Sequence, residues 1–172
     1  AGYSTPESYD GMTLIWGDEF DASGAPDPTK WTYDLGNGAW GWGNNELQNY
    51  TDSPENVTVQ DGRLYIFARN EGGFTSARIK SQGLFDFQYG RVDIRAVLPI
   101  GQGIWPALWM LGSDIDQVSW PACGEIDIME LVGHQPRLVH GTCHWGPNNA
   151  ERQYNGTIAP ALEFPATFAD EF

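Results

Sequence analysis

Hydrophobic and polar residues alternate along much of this 172-residue chain. Leu64, Ile66 and Ala68 interleave with Arg63, Tyr65, Phe67 and Arg69, while Val92, Ile94, Ala96 and Leu98 share one parity within 91–98, which Pro99 closes. A period of two marks a half-buried β-strand, because successive side chains point to opposite faces. Further strands are expected over 75–81, 105–111, 125–132 and 138–143, and a short helical turn over 166–171. Clusters of Gly, Pro, Asn and Asp at 23–28, 61–62, 71–73 and 146–149 separate them as turns. Short strands at this spacing predict an all-β sandwich or barrel, built as a single domain over residues 1–172.

Composition narrows what such a domain can bind. Hydrophobic residues make up 41% and aromatic residues 13%, enough for a packed core. Nine Lys and Arg stand against 23 Asp and Glu, a net charge of −14. That excess repels phosphate backbones and disfavours nucleic acids, anionic membranes and anionic polysaccharides. A neutral ligand fits better. The longest apolar run, residues 104–111, contains Pro106 and falls far short of a membrane span. The chain opens on Ala1 without a charged-then-apolar leader, the form expected of a processed or recloned mature protein. Cys123 and Cys143 either form one disulfide or remain two free thiols, and the count leaves both open. All-β sandwiches often take roughly 200–250 residues, so the domain is expected to lack its C-terminal strands here, with a second polypeptide or a continuation supplying them.

The most informative segment is Gly124-Glu125-Ile126-Asp127-Ile128-Met129-Glu130. Alternation puts Glu125 and Asp127 on one face and Ile126 and Ile128 on the other. Glu130, five positions beyond Glu125, would then fall on the apolar face, where an unpaired carboxylate is costly. A β-bulge near Met129 restores the phase and returns Glu130 to the acidic face. A row of three carboxylates repels itself. A solvated acidic face and a calcium or magnesium cluster are two readings of it. Paired catalytic carboxylates are the third: retaining glycosidases need two carboxyl groups about 5–5.5 Å apart, one a nucleophile and one an acid/base. The apolar neighbours Ile126, Ile128, Met129, Leu131 and Val132 imply a central strand, where an exposed acidic row is less expected.

Other residues carry paired readings. Trp105 and Trp109 share a strand face with Ala107 and Leu111, either as core or as flat platforms for the apolar faces of sugar rings. Trp40, Trp42 and Trp120 sit in loops that could rim a cleft, while Trp16 and Trp31 read as core. Arg78 is either an exposed ion pair or a donor to sugar hydroxyls, and Asn45 and Glu46 share that ambiguity in a loop. His140 and His144, four apart on a strand, lie about 13 Å apart and cannot chelate one metal.

The Glu-Ile-Asp-Ile-Met-Glu run closely resembles the signature of glycoside hydrolase family 16, in the bulged form of its laminarinases, the endo-β-1,3-glucanases. Residues 16–21 (Trp-Gly-Asp-Glu-Phe-Asp), 41–51, 76–79 and 101–111 resemble that family's other motifs in the same order, so the likeness runs from about Leu14 to Phe172. It implies a β-jelly-roll sandwich with a cleft along its concave sheet. By motif position Glu125 is the nucleophile, Glu130 the general acid/base and Asp127 their assistant. Trp105 and Trp109 match glucose-stacking positions, and His144 matches a cleft histidine that contacts Asp127 or the sugar. Arg78, Asn45 and Trp120 are further candidates for substrate contact. No cofactor is implied for catalysis. One structural calcium is implied on the convex side, with Glu19 and the backbone of Gly62 in the matching segments and an aspartate ligand in a C-terminal strand beyond this chain. His134 departs from the pattern, standing where a basic or amide residue is usual. The expected activity is retaining, endo-acting hydrolysis of laminarin-type β-glucans by a secreted, extracellular or periplasmic protein. Mixed-linkage glucanases, agarases, carrageenases and transglycosylases share the fold; a non-catalytic sugar-binding sandwich and a calcium-dependent adhesion module are the rivals from other classes.

Overall fold

The computed structural model describes Pro6 and residues 8–160. They fall into two compact units, Ser8–Gly90 and one that contains Arg91 and all that follows. The first unit holds seven short strands: β1 Thr32–Asp34, β2 Asn49–Tyr50, β3 Val57–Gln60, β4 Arg63–Ile66, β5 Arg69–Asn70, β6 Phe74–Ser76 and β7 Arg78–Lys80. They pair as β1 with β7, β3 with β4, and β2-β6-β5. The hairpin between β3 and β4 turns on Asp61 and Gly62, both at positive φ (51° and 69°), as a two-residue turn between twisted strands requires. The strand expected over 63–69 is broken at Phe67 and Ala68. Its first half pairs with β3 and its second with β6, so the chain changes sheets there. The expected 75–81 strand divides at Ala77 for the same reason, β6 pairing with β2 and β7 with β1.

Val57, Val59 and Ala77 are buried in this unit, with one buried polar residue, Asn56, at the centre. Asn56 satisfies itself fully: its Oδ1 accepts from Thr51 Oγ1 at 2.7 Å, and its Nδ2 donates to Phe67 O at 3.0 Å and Thr75 Oγ1 at 3.1 Å. Trp16 and Trp31, read from the sequence as core, are half-buried: they meet edge to face at 5.2 Å, and Trp31 Nε1 donates to Asp18 Oδ2 at 2.8 Å.

The second unit is one antiparallel sheet in the order β11-β10-β9-β8. Its elements are β8 Ala107–Leu111, a single helical turn α1 Ile115–Val118, β9 Glu125–Glu130, β10 Leu138–Trp145, a 3-10 turn Asn149–Glu151, and β11 Gln153–Pro160. β10 runs two residues past its expected end, and β11 was not foreseen at all. The strand expected over 91–98 is absent. The alternation is present, but no described neighbour closes a hydrogen-bond ladder with it, and an extended segment without a ladder is not a sheet strand. Only Leu98 of that run is buried. Leu131, 0% exposed, anchors the end of β9. Its N–H donates to Pro106 O at 3.1 Å, and a Cβ at the nearby Gly133 would run into the Gly101 carbonyl, so only glycine allows that approach. No helix among the described residues is long and apolar enough to cross a membrane. The turn expected over 166–171 lies outside the described residues.

Candidate active site

Antiparallel registers fix which side chains share the face of the sheet, since directly opposed residues point the same way. Met129 stands opposite Leu108 and Asp127 opposite Trp109, so Ile128 is the extra residue of a bulge on β9. On β10, His140 and Thr142 face Glu130 and Asp127, again two steps against three. The bulge expected near Met129 is therefore present, and Glu130 rejoins the face of Glu125 and Asp127. Three rows result across the sheet: Leu111-Glu125-His144-Tyr154, Trp109-Asp127-Thr142-Gly156, and Ala107-Glu130-His140-Ile158. Without the bulge Glu130 would lie among Met110, Ile126 and Cys143 on the reverse side.

Each outer glutamate receives an indole donor. Trp120 Nε1 donates to Glu125 Oε2 at 2.9 Å, and Trp105 Nε1 donates to Glu130 Oε1 at 3.1 Å. His144 Nε2 lies 3.2 Å from Asp127 Oδ2 and 3.8 Å from Glu125 Oε1. Asp127 is only 6% exposed, an acid buried where its apolar neighbour Ile126 is not. Burial first, and then the negative charge of Asp127, push Glu125 up to about 7, against the Trp120 hydrogen bond that lowers it. Burial also raises Asp127, with His144 opposing. Glu130 is raised by burial and next by Asp127, with the Trp105 hydrogen bond opposing. Three carboxyls raised together on one face are the pattern that acid–base and nucleophilic chemistry uses. Glu125, Asp127 and His144 also offer ligand atoms within 4.8 Å of one another, the spacing a bound cation would need.

The remaining candidates divide between the units. Trp109 is on the carboxylate face by register. Trp105 precedes β8 rather than lying within it, yet reaches Glu130. Arg78 and Asn45 belong to the first unit. Arg78 Nε pairs with Asp34 Oδ2 at 2.8 Å and its guanidinium lies 4.5 Å over the Trp42 ring, so the ion-pair reading is observed. The Trp42 Nε1 beneath it is buried without a partner. Asn45 is exposed at φ 57°, at the end of an irregular π-type turn Gly41–Asn45 where Trp40 and Trp42 also take positive φ, backbone strain of the kind stored at binding loops. Beside it, Tyr50 donates to Glu46 Oε2 at 3.0 Å, and burial with that negative charge pushes the phenol up to about 12. Glu19 is exposed in irregular chain and Gly62 sits in the β3–β4 turn. Among the described residues neither belongs to a cluster of three or more acidic, His or Cys side chains, so they do not by themselves build a calcium cage. Both cysteines are free thiols, Cys123 half-buried and Cys143 on the reverse face of the sheet.

Sequence reasoning missed three residues of this face. His140 lies opposite Glu130 and was legible from its four-residue spacing to His144. Tyr154 and Arg152 were hidden because Asn155 and Gly156 interrupt the alternation of β11.

Residues 23–161 match the family model described as an XgeA-like, catalytic GH16 domain. The chain is 42% identical over 190 residues to glucan endo-1,3-beta-glucosidase A1 of Niallia circulans, covering 99% of this chain and 27% of that protein. It is 52% identical over 138 residues to a beta-glucanase of Rhodothermus marinus, covering 76% of this chain and 48% of the relative. The X-ray structure of the laminarinase from Rhodothermus marinus superposes with a TM-score of 0.80 at 44% identity, over 92% of this chain and 64% of that one. The chain therefore spans about a quarter to a half of these curated relatives. The likeness shows an all-β fold of the jelly-roll sandwich class. By its motifs, its bulged acidic strand and these matches, the chain belongs to glycoside hydrolase family 16.

Proposed function

We propose that the chain is the catalytic part of a retaining endo-β-1,3-glucanase acting on laminarin-type β-glucans. The observation that carries the reading is the bulge at Ile128, which gathers Glu125, Asp127 and Glu130 on one face under two indole donors. Glu125, as the carboxylate, attacks the anomeric carbon. Glu130, whose pKa is raised by burial and next by the charge of Asp127, gives its proton to the departing glycosidic oxygen. Trp105 occupies Oε1 of that carboxyl, leaving Oε2 to carry the proton. In the second half, Glu130 takes a proton from water, which displaces Glu125 and restores the β-configuration. The chemistry needs no cofactor. Activity on a β-1,3-glucan is supported by the relatives' names, and a neutral substrate by the net charge of −14.

Reducing-sugar release from laminarin, compared with the mixed-linkage glucan lichenan, tests the assignment. Glu125→Gln is expected to lower it by on the order of 10³-fold or more while oligosaccharide binding persists. NMR of the first product should show the β-anomer; an initial α-anomer would mean inversion.

The same reading extends to a partner. On the reverse face Ile126 and Trp145 are each 47% exposed, an apolar surface that a sandwich layer would cover. The cover is the remainder of the domain, in a longer chain or as a separate polypeptide. Such a polypeptide added in trans should raise the melting temperature and displace an apolar-surface dye; no change in either would refute it.

A further inference from the structure

Tyr154 lies opposite His144 on β11, its ring 6.0 Å from the imidazole, and is 67% exposed on the carboxylate face. Arg152 holds its guanidinium 5.5 Å over the Trp120 ring and 5.7 Å over the Tyr154 ring. Both distances are within cation–π reach, so two aromatic faces fix the fork in place. It makes no hydrogen bond or ion pair with a described residue, so its planar N–H donors are available to a ligand. Trp120 in turn holds Glu125 through its indole N–H. One row further along β11, Gly156 faces Thr142, whose side chain lies against it where a Cβ would stand. β11 is two strand spacings from β9, about 9.6 Å. That is farther than the sugar attacked by Glu125 can reach, so a ligand here is a neighbouring unit of a longer chain.

We propose that Tyr154 and Arg152 form a distal sugar subsite, with the tyrosine ring stacking on the apolar face of a neutral pyranose and the guanidinium donating to its hydroxyls. The subsite rests on the β-glucanase reading for the identity of its sugar. Its geometry explains an otherwise unused arrangement: a cation clamped between rings beside the nucleophile, in a molecule whose net charge argues against an anionic ligand.

Chain-length dependence separates this role from a structural one. For laminarihexaose, Tyr154→Ala should lower kcat/KM about tenfold, mostly through KM, as the loss of one stacking contact predicts. Laminaritriose, productive only across Glu125 and Glu130, should change less than about twofold. Tyr154→Phe should retain the hexaose rate, and Arg152→Ala should follow Tyr154→Ala. Equal losses on both lengths, or none on hexaose, would overturn the subsite while leaving the hydrolase assignment standing. If the unaltered chain cleaves no β-glucan, that assignment fails on its own. Hexaose titrated into the Glu125→Gln chain, with and without Tyr154→Ala, then decides the subsite: about tenfold weaker binding supports it, and unchanged or absent binding removes it.

Discussion

Glu125 and Glu130 are ordinary glutamates made unusual by what surrounds them. Each is drawn upward by burial and by the charge of Asp127, and each is held down by one indole N–H. Removing a donor therefore has a definite sign. Trp120→Phe should raise the Glu125 pKa and move the acidic limb of the kcat/KM profile to higher pH; Trp105→Phe should raise Glu130 and carry the basic limb upward. A pH–rate series on laminarin checks both, and a shift to lower pH in either would contradict the site. Glu125 also links activity to stability. A carboxyl raised from 4.5 to about 7 on folding contributes stability that is full below 4.5 and is lost as pH rises through 7. Glu125→Gln escapes that loss, so its melting temperature relative to the unaltered chain should be higher at pH 8 than at pH 4. Thermal melts at the two values measure it, and an equal difference at both would show that the raised pKa is not realised.

At the level of elements, one inserted residue decides the chemistry. β9 is inverted relative to an ordinary half-buried strand, its acidic face covered and Ile126 exposed. Ile128 adds the half-period that brings Glu130 back to the covered face. Deleting Ile128 should turn Glu130 to the reverse side and cost about 10²–10⁴ in rate, the usual worth of a general acid/base. The loss is read as hydrolysis on laminarin alongside an unchanged far-ultraviolet CD spectrum; retained activity would show that another group protonates the leaving oxygen. The bulge was legible in the sequence because strict alternation would have buried an unpaired acid. β11 was not, since Asn155 and Gly156 erase the period that would betray it, and its place is set by the ladder with β10. The segment 91–98 errs the other way: it alternates as a strand does and joins no sheet ladder among the described residues.

For the whole molecule, the net charge of −14 favours neutral polymers over sulfated ones. Hydrolysis of laminarin should change less than about twofold between roughly 0.05 and 0.5 M salt, because no long-range attraction is there to be screened. A steep fall with salt would point to an anionic substrate held by local cations.

The amino-acid sequence by itself determined the β-rich class, the acidic row and the bulge it demands, the indole-rich surroundings and the family. Those are local properties: parity along a strand, the cost of a misplaced charge, and short motifs carry them within a few residues. Tertiary structure alone decided which indole serves which glutamate, that Arg78 is taken up by Asp34 and Trp42, that the two cysteines are free, and that Arg152 and Tyr154 stand beside Glu125. Each of these depends on which strands pair and in what register, and pairing between distant segments leaves no period in the chain to be read.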